Sequence, residues 1–134
     1  MANSVNSLHE IWPTGRCALN GWIAAPSAIT AQAMGAAGWD ALTVDLQHGT
    51  ADYHDLLTLL PIIEASGAAS LVRVPWLDEA IIMRVLDAGA MGVIAPMIET
   101  AEQAARLVAA CRYPPEGGRS FGPVRARLSW PGDY

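Results

Sequence analysis

Four short apolar runs recur along the chain at nearly regular intervals, and each is followed by a longer stretch of helical character. The runs are Ala18–Ile23, Ala41–Asp45, Ala69–Pro75 and Gly92–Met97, so their starts lie 23, 28 and 23 residues apart. The stretches that follow them are Ser27–Ala37, Tyr53–Ser66, Leu77–Ala88 and Ala101–Cys111. That interval is the length of one strand–helix unit. The runs are almost continuously apolar, as parallel strands covered by helices should be. Punctuation agrees. Pro26-Ser27, Asp52, Asp78 and Thr100 are placed to start helices, with Gln103 completing a capping box, and Gly38, Gly67 and Gly89 are placed to end them. Four sequential units of this kind predict an α/β fold, either half of a (β/α)8 TIM barrel or a small open doubly wound sheet.

Length and composition narrow the choice of function. The chain has 134 residues, of which 52% are hydrophobic and 16% charged. That suits one domain with a large apolar core. A complete barrel needs about 250 residues, so residues 1–134 are read as the N-terminal half of a single barrel domain, and the natural protein is expected to continue. Residues 1–16 are expected to form a helical capping segment. Residues 112–134 carry Pro114, Pro115, Gly117, Gly118, Gly122, Pro123, Pro131 and Gly132 and are expected to form a long structured loop.

Charge and sorting signals exclude several classes. The formal net charge is −5 and no basic run exists, which argues against nucleic acid as a partner. Lysine is absent from the sequence, so imine chemistry through a lysine of this chain is excluded. Met1–Pro13 lacks the pattern of a signal peptide, and no apolar run reaches the roughly 20 residues of a membrane span. A cytoplasmic location without membrane association is expected. Cys17 and Cys111 have no metal-binding spacing and are expected as free, buried thiols.

In parallel α/β folds the chemistry sits at the C-terminal ends of the strands. The second run ends Val44-Asp45-Leu46-Gln47-His48-Gly49, which delivers a carboxylate and an imidazole together. Such a pair suits acid–base work, or it is a polar turn closing the strand. Arg73 interrupts the apolar third run, where it needs an anion. The anion is either a substrate carboxylate or a protein carboxylate such as Asp45 or Asp87. Glu99, after the fourth run, is a metal ligand by type or simply a charge favoured at a helix N-terminus. Trp22 ends the first run and would line the mouth of a barrel. His9 and His54 read as surface or packing residues. Arg112, Arg119, Arg125 and Arg127 form the densest positive charge, suited to an anionic substrate or to salt bridges between subunits.

Several segments occur in order: Gly21-Trp22, Gly38-Trp39-Asp40, Val44-Asp45-Leu46-Gln47-His48-Gly49, Val72-Arg73-Val74-Pro75, Leu86-Asp87-Ala88-Gly89-Ala90, Pro96-Met97, and Arg112-Tyr113-Pro114-Pro115 with Gly118-Arg119-Ser120. Together they resemble the N-terminal half of the HpcH/HpaI metal-dependent 2-keto acid aldolases. The resemblance implies a (β/α)8 barrel and reversible aldol cleavage of 4-hydroxy-2-keto acids through a pyruvate or hydroxypyruvate enolate and an aldehyde. It implies a divalent metal (Mg2+, Mn2+ or Co2+) whose Glu and Asp ligands would lie beyond Tyr134, with no ligand in this chain. It implies His48 as general base and Asp45 as its partner in a dyad. Arg73 would hold the keto acid, with Trp22 beside it, and Asp87 would support Arg73 and His48. Gln47 stands where the family often has Glu and would tune the surroundings of metal-bound water. A homo-oligomer, commonly a hexamer, is implied as well. Two rivals remain open: a carbon–carbon lyase of the citrate-lyase β type on the same scaffold, and a non-catalytic α/β ligand-binding module.

Overall fold

The computed structural model describes residues 6–129. A short helix α1 (Leu8–Ile11) runs into one 3-10 turn (Trp12–Thr14). Then come β1 (Asn20–Ile23), α2 (Ala28–Ala36), β2 (Ala41–Asp45), α3 (Tyr53–Ala65), β3 (Ala69–Arg73), α4 (Glu79–Asp87), β4 (Gly92–Ile94), α5 (Ala101–Cys111) and a short α6 (Ala126–Ser129). The sheet order is β1-β2-β3-β4, and every pairing is parallel.

That order decides between the two architectures. A doubly wound sheet reverses its strand order and carries helices on both faces. Here the order never reverses, and the helices share one face. Leu42, Val44 and Val72 from the strands, with Val74 just past β3, form one buried cluster with Ala31, Leu56, Leu59, Leu60, Ile63, Ile82, Val85 and Ala110 from α2 to α5. Burying each large aliphatic side chain of this set contributes roughly 1.5–3 kcal/mol. The alternate strand residues, among them Trp22, Thr43, Asp45, Leu71 and Arg73, point to the opposite face, because strand side chains alternate. The molecule is a partial (β/α) barrel, four units wound in one direction.

The helix caps form where the sequence placed them. Ser27, Asp52, Asp78 and Thr100 each accept hydrogen bonds from backbone N–H groups of the first turn, and Thr100 with Gln103 makes a capping box. Strands end sooner than their apolar runs: β1 starts at Asn20 instead of Ala18, β3 stops at Arg73 instead of Pro75, and β4 stops at Ile94 instead of Met97. Pro75 and Pro96 have no N–H for a ladder, so apolar character outlasts pairing.

Two segments close the N-terminal edge of the sheet. Leu8 is buried against Ala41 and Ala69, while Asn6 Nδ2 donates to the Met91 carbonyl at 3.2 Å and Ser7 Oγ to the Asp40 carbonyl at 3.0 Å. Residues 1–5 of the expected capping segment lie outside the described residues. The expected loop after Cys111 folds back beneath the same edge and contains α6; its last residues, 130–134, lie outside the described residues. Arg125 pairs with Glu64 at 2.6 Å, and the Gly118 N–H donates to the Ala109 carbonyl at 2.8 Å. Both cysteines are free, as expected, but neither is fully buried: Cys111 is half-buried and Cys17 is exposed. It sits in the extended lead-in to β1, outside the layer that the helices cover. Among the described residues no helix is long and apolar enough to cross a membrane.

Candidate active site

The last residues of β2 and β3 stand opposite each other in register, Asp45 against Arg73. Their side chains meet on the face without helices. Asp45 Oδ1 accepts from Arg73 Nε at 2.8 Å and Oδ2 accepts from Nη2 at 2.5 Å, a two-pronged ion pair. The indole Nε1–H of Trp22 donates to Asp45 Oδ2 at 3.2 Å, and the guanidinium lies 5.0 Å from the centre of the same indole. Backbone N–H groups of Gln47 and His48 donate to Asp45 Oδ1 at 2.9 and 3.3 Å.

Asp45 is only 2% exposed, and such a carboxylate requires partners. It has five donors. The Arg73 guanidinium, chiefly, holds its carboxyl far below the usual carboxylate range; burial opposes this, and the Gln47, Trp22 and His48 N–H groups add to it. The same pairing raises the Arg73 pKa. Asp45 is therefore an anion that orients a cation. Arg73 spends one edge on Asp45; its other terminal nitrogen, Nη1, has no hydrogen bond among the described residues. The side chain retains 22% exposure, leaving an edge open for a second carboxylate or an enolate oxygen.

A pH dependence follows with a definite sign. A depressed folded-state pKa contributes stability above the unfolded value and loses it as pH falls. Urea midpoints should thus be insensitive to this pair down to about pH 4, the unfolded aspartate value being about 3.9. Below that they should decline, and Asp45→Asn should flatten the decline. An acid limb of equal steepness in the variant would contradict this account of Asp45.

The turn after β2 brings His48 to the same edge. The Leu46 N–H donates to the Arg73 carbonyl at 2.9 Å, and the Thr50 N–H donates to the Ala24 carbonyl at 2.8 Å. The turn is thus tied to both neighbouring strands. Gly49 sits between the ties, where an added Cβ would collide with the carbonyl oxygens of Asp45 and Ala24. The His48 side chain is exposed, and its ring makes no hydrogen bond among the described residues. Gly49→Ala should therefore shift the turn and lower turnover by at least about tenfold, since a displacement near 1 Å costs on that order or more. Wild-type turnover in that variant would show that the turn's position does not matter.

The structure departs from two expectations. Asp45 meets His48 through the backbone N–H, not the imidazole, because Arg73 and Trp22 occupy the carboxylate. Asp87 does not approach Arg73 or His48 in this chain. It ends α4, which descends from the C-terminal edge to the N-terminal edge, and it pairs there with Arg119 at 2.6 Å. The nearby Gly89 carbonyl accepts from Ser70 Oγ near the start of β3, which fixes that end. Arg119 and Arg125 are likewise spent in ion pairs within the chain, away from the mouth, while Arg112 and Arg127 are exposed.

The remaining candidates separate from the site. Gln47 is half-buried and touches Asp45 through its backbone. Glu99 is exposed, and its N–H donates to Gln103 Oε1. His9 packs edge-on against Trp12, and His54 is exposed in the first turn of α3. Among the described residues no group of three or more His, Cys, Asp or Glu side chains could hold a metal ion. With Asp45 committed to Arg73, these residues do not assemble a metal site.

Residues 19–127 match the family model described as HpcH/HpaI aldolase/citrate lyase. The chain belongs to the HpcH/HpaI family. A hydroxypyruvate/pyruvate aldolase of Rhizorhabdus wittichii is 40% identical over 130 residues, covering 97% of this chain and 52% of that protein. The crystal structure of an HpcH/HpaI aldolase/citrate lyase family protein from Burkholderia cenocepacia superposes with a TM-score of 0.85 at 35% identity, covering 92% of this chain and 51% of that one. A crystal structure of a citrate synthase matches at TM-score 0.81 and 27% identity, over 93% of this chain and 52% of that one. This HpcH/HpaI chain thus spans about half the length of the relatives it matches.

Proposed function

We propose that the whole protein is a carbon–carbon lyase that cleaves and forms 4-hydroxy-2-keto acids through a pyruvate-type enolate. The observation that carries this is the half-occupied guanidinium of Arg73 at the edge where His48 is presented. The keto acid's carboxylate and developing enolate oxygen would lie along the open edge of Arg73. Fixed positive charge there stabilises negative charge as it develops. His48 would take a proton from the methyl carbon, C3. The enolate carbon then bonds to the carbonyl carbon of an aldehyde, and the resulting alkoxide regains the proton from the imidazolium. The reverse sequence breaks the same bond. Asp45 and Trp22 hold Arg73 in place, so they act by positioning.

The absence of lysine supports an enolate route over an imine route in this chain. In this proposal the whole protein also carries a divalent metal, Mg2+, Mn2+ or Co2+. Pyruvate and hydroxypyruvate both suit the clamp, and the relative from Rhizorhabdus wittichii is named for both.

A second reading has its own support: the family description includes citrate lyase, and a citrate synthase shares the fold. Full-length protein should be assayed with divalent metal for pyruvate release from a 4-hydroxy-2-keto acid and, separately, for cleavage of a citryl-type thioester. Pyruvate release is the expected result. Thioester cleavage alone would replace this proposal with the second reading.

A further inference from the structure

Among the described residues, Met97 alone has a positive φ without being glycine, at 57°. Left-handed backbone costs an L-residue free energy, and such strain persists where a side chain has a task. The described residues otherwise take this conformation on glycine, at Gly15, Gly38, Gly67 and Gly89. Where only the turn matters, glycine is used. At Met97 a long apolar side chain is kept at the cost of strain.

The strain also redirects that side chain. Strand alternation would send Met97 to the same side as Val93 and Ala95, which pack against the helix-facing core. Met97 is outside that cluster and 59% exposed. The backbone after it is held firmly: Gln103 Oε1 accepts from the Glu99 and Thr100 N–H groups at 2.7 and 3.0 Å. Before it, β4 is in register with β3, Ile94 against Arg73. Met97 therefore follows the end of β4 at the edge where Arg73 emerges, and it contributes nothing to the core.

We propose that Met97 determines acceptor specificity: its thioether chain lies against the substituent of the aldehyde, and that substituent is apolar. The proposal rests on the aldolase reading above. The aldehyde must enter beside the keto acid held by Arg73. An unbranched, polarizable side chain adapts to varied apolar shapes. The half-exposed indole of Trp22 extends the apolar character along the same edge.

The test uses full-length protein with Met97→Asn, which tolerates left-handed backbone but removes the apolar contact, and Met97→Gly, which relieves the turn. Both variants should keep the wild-type thermal midpoint or exceed it. Both should exchange pyruvate C3 protons at the wild-type rate. The KM for hexanal should rise roughly five- to tenfold, as expected for losing contact with one or two methylenes. The KM for glycolaldehyde should change by less than about twofold, since it lacks that surface. Unchanged hexanal kinetics in both variants, or an equal rise for both aldehydes, would overturn the proposal. So would a lower midpoint in both variants, which would assign Met97 to packing. Absence of proton exchange in the wild-type protein would instead overturn the aldolase reading beneath it.

Discussion

Replacing His48 with alanine is expected to slow proton exchange at pyruvate C3 by about 10²–10⁴-fold, the contribution of a positioned general base. The ring is exposed and makes no hydrogen bond among the described residues, so its loss leaves no orphaned buried partner. The fold should be unaffected, and substrate affinity should change little, because in the proposed mechanism Arg73 would supply the carboxylate contact. Exchange followed by NMR in deuterated water isolates this step from aldehyde binding. A variant that exchanges at the wild-type rate would remove His48 from the chemistry, whatever its effect on the full aldol reaction. The backbone link between His48 and Asp45 persists in the variant, so the result reports on the imidazole alone.

Arg73→Lys carries the second large effect. Lysine keeps the charge but loses the planar fork. One ammonium cannot satisfy both oxygens of Asp45 and also meet a substrate carboxylate in a fixed direction. We expect kcat/KM for the keto acid to fall by about 10²–10³, as when a preorganised stabilising donor is removed. The fall should divide between a higher KM and a lower kcat, since in the proposed mechanism the clamp would serve both bound substrate and enolate. Asp45, 2% exposed, loses its two-pronged partner, so the thermal midpoint should fall as well. A lower midpoint with unchanged kinetics would reduce Arg73 to a structural role.

The fold was legible because βα units repeat their chemistry. Asp52, Asp78 and Thr100 cap helices through contacts two or three residues away, and short-range contacts are written in short-range sequence. The choice between barrel and open sheet was not legible in the strand pattern and came from the family resemblance, which the structure bears out. It depends on which faces the helices cover, and each apolar strand is compatible with either. Placement at the C-terminal edge picked out Trp22, Asp45, His48 and Arg73, since each lies within one residue of a strand's end or in the turn after it. Who pairs with whom was harder. Asp45 is three residues from His48 but 28 from Arg73, and the sheet register, absent from the sequence, favours the distant partner. Asp87 was assigned to the site by the family resemblance alone; within this chain it stands at the far end of α4, paired with Arg119. Met97 was visible only as part of a motif, because propensity assigns a strand end to methionine without strain and its left-handed turn is set by the tertiary frame.

The most direct test of the central claim is a crystal structure of the full-length protein with oxamate, an isostere of pyruvate. The oxamate carboxylate should lie on the open edge of Arg73, with Asp45 still holding the other edge. The atom replacing the pyruvate methyl should sit about 3–3.5 Å from a nitrogen of the His48 ring, the reach that proton transfer requires. Oxamate bound elsewhere, or bound with the His48 ring turned away behind other side chains, would contradict the account.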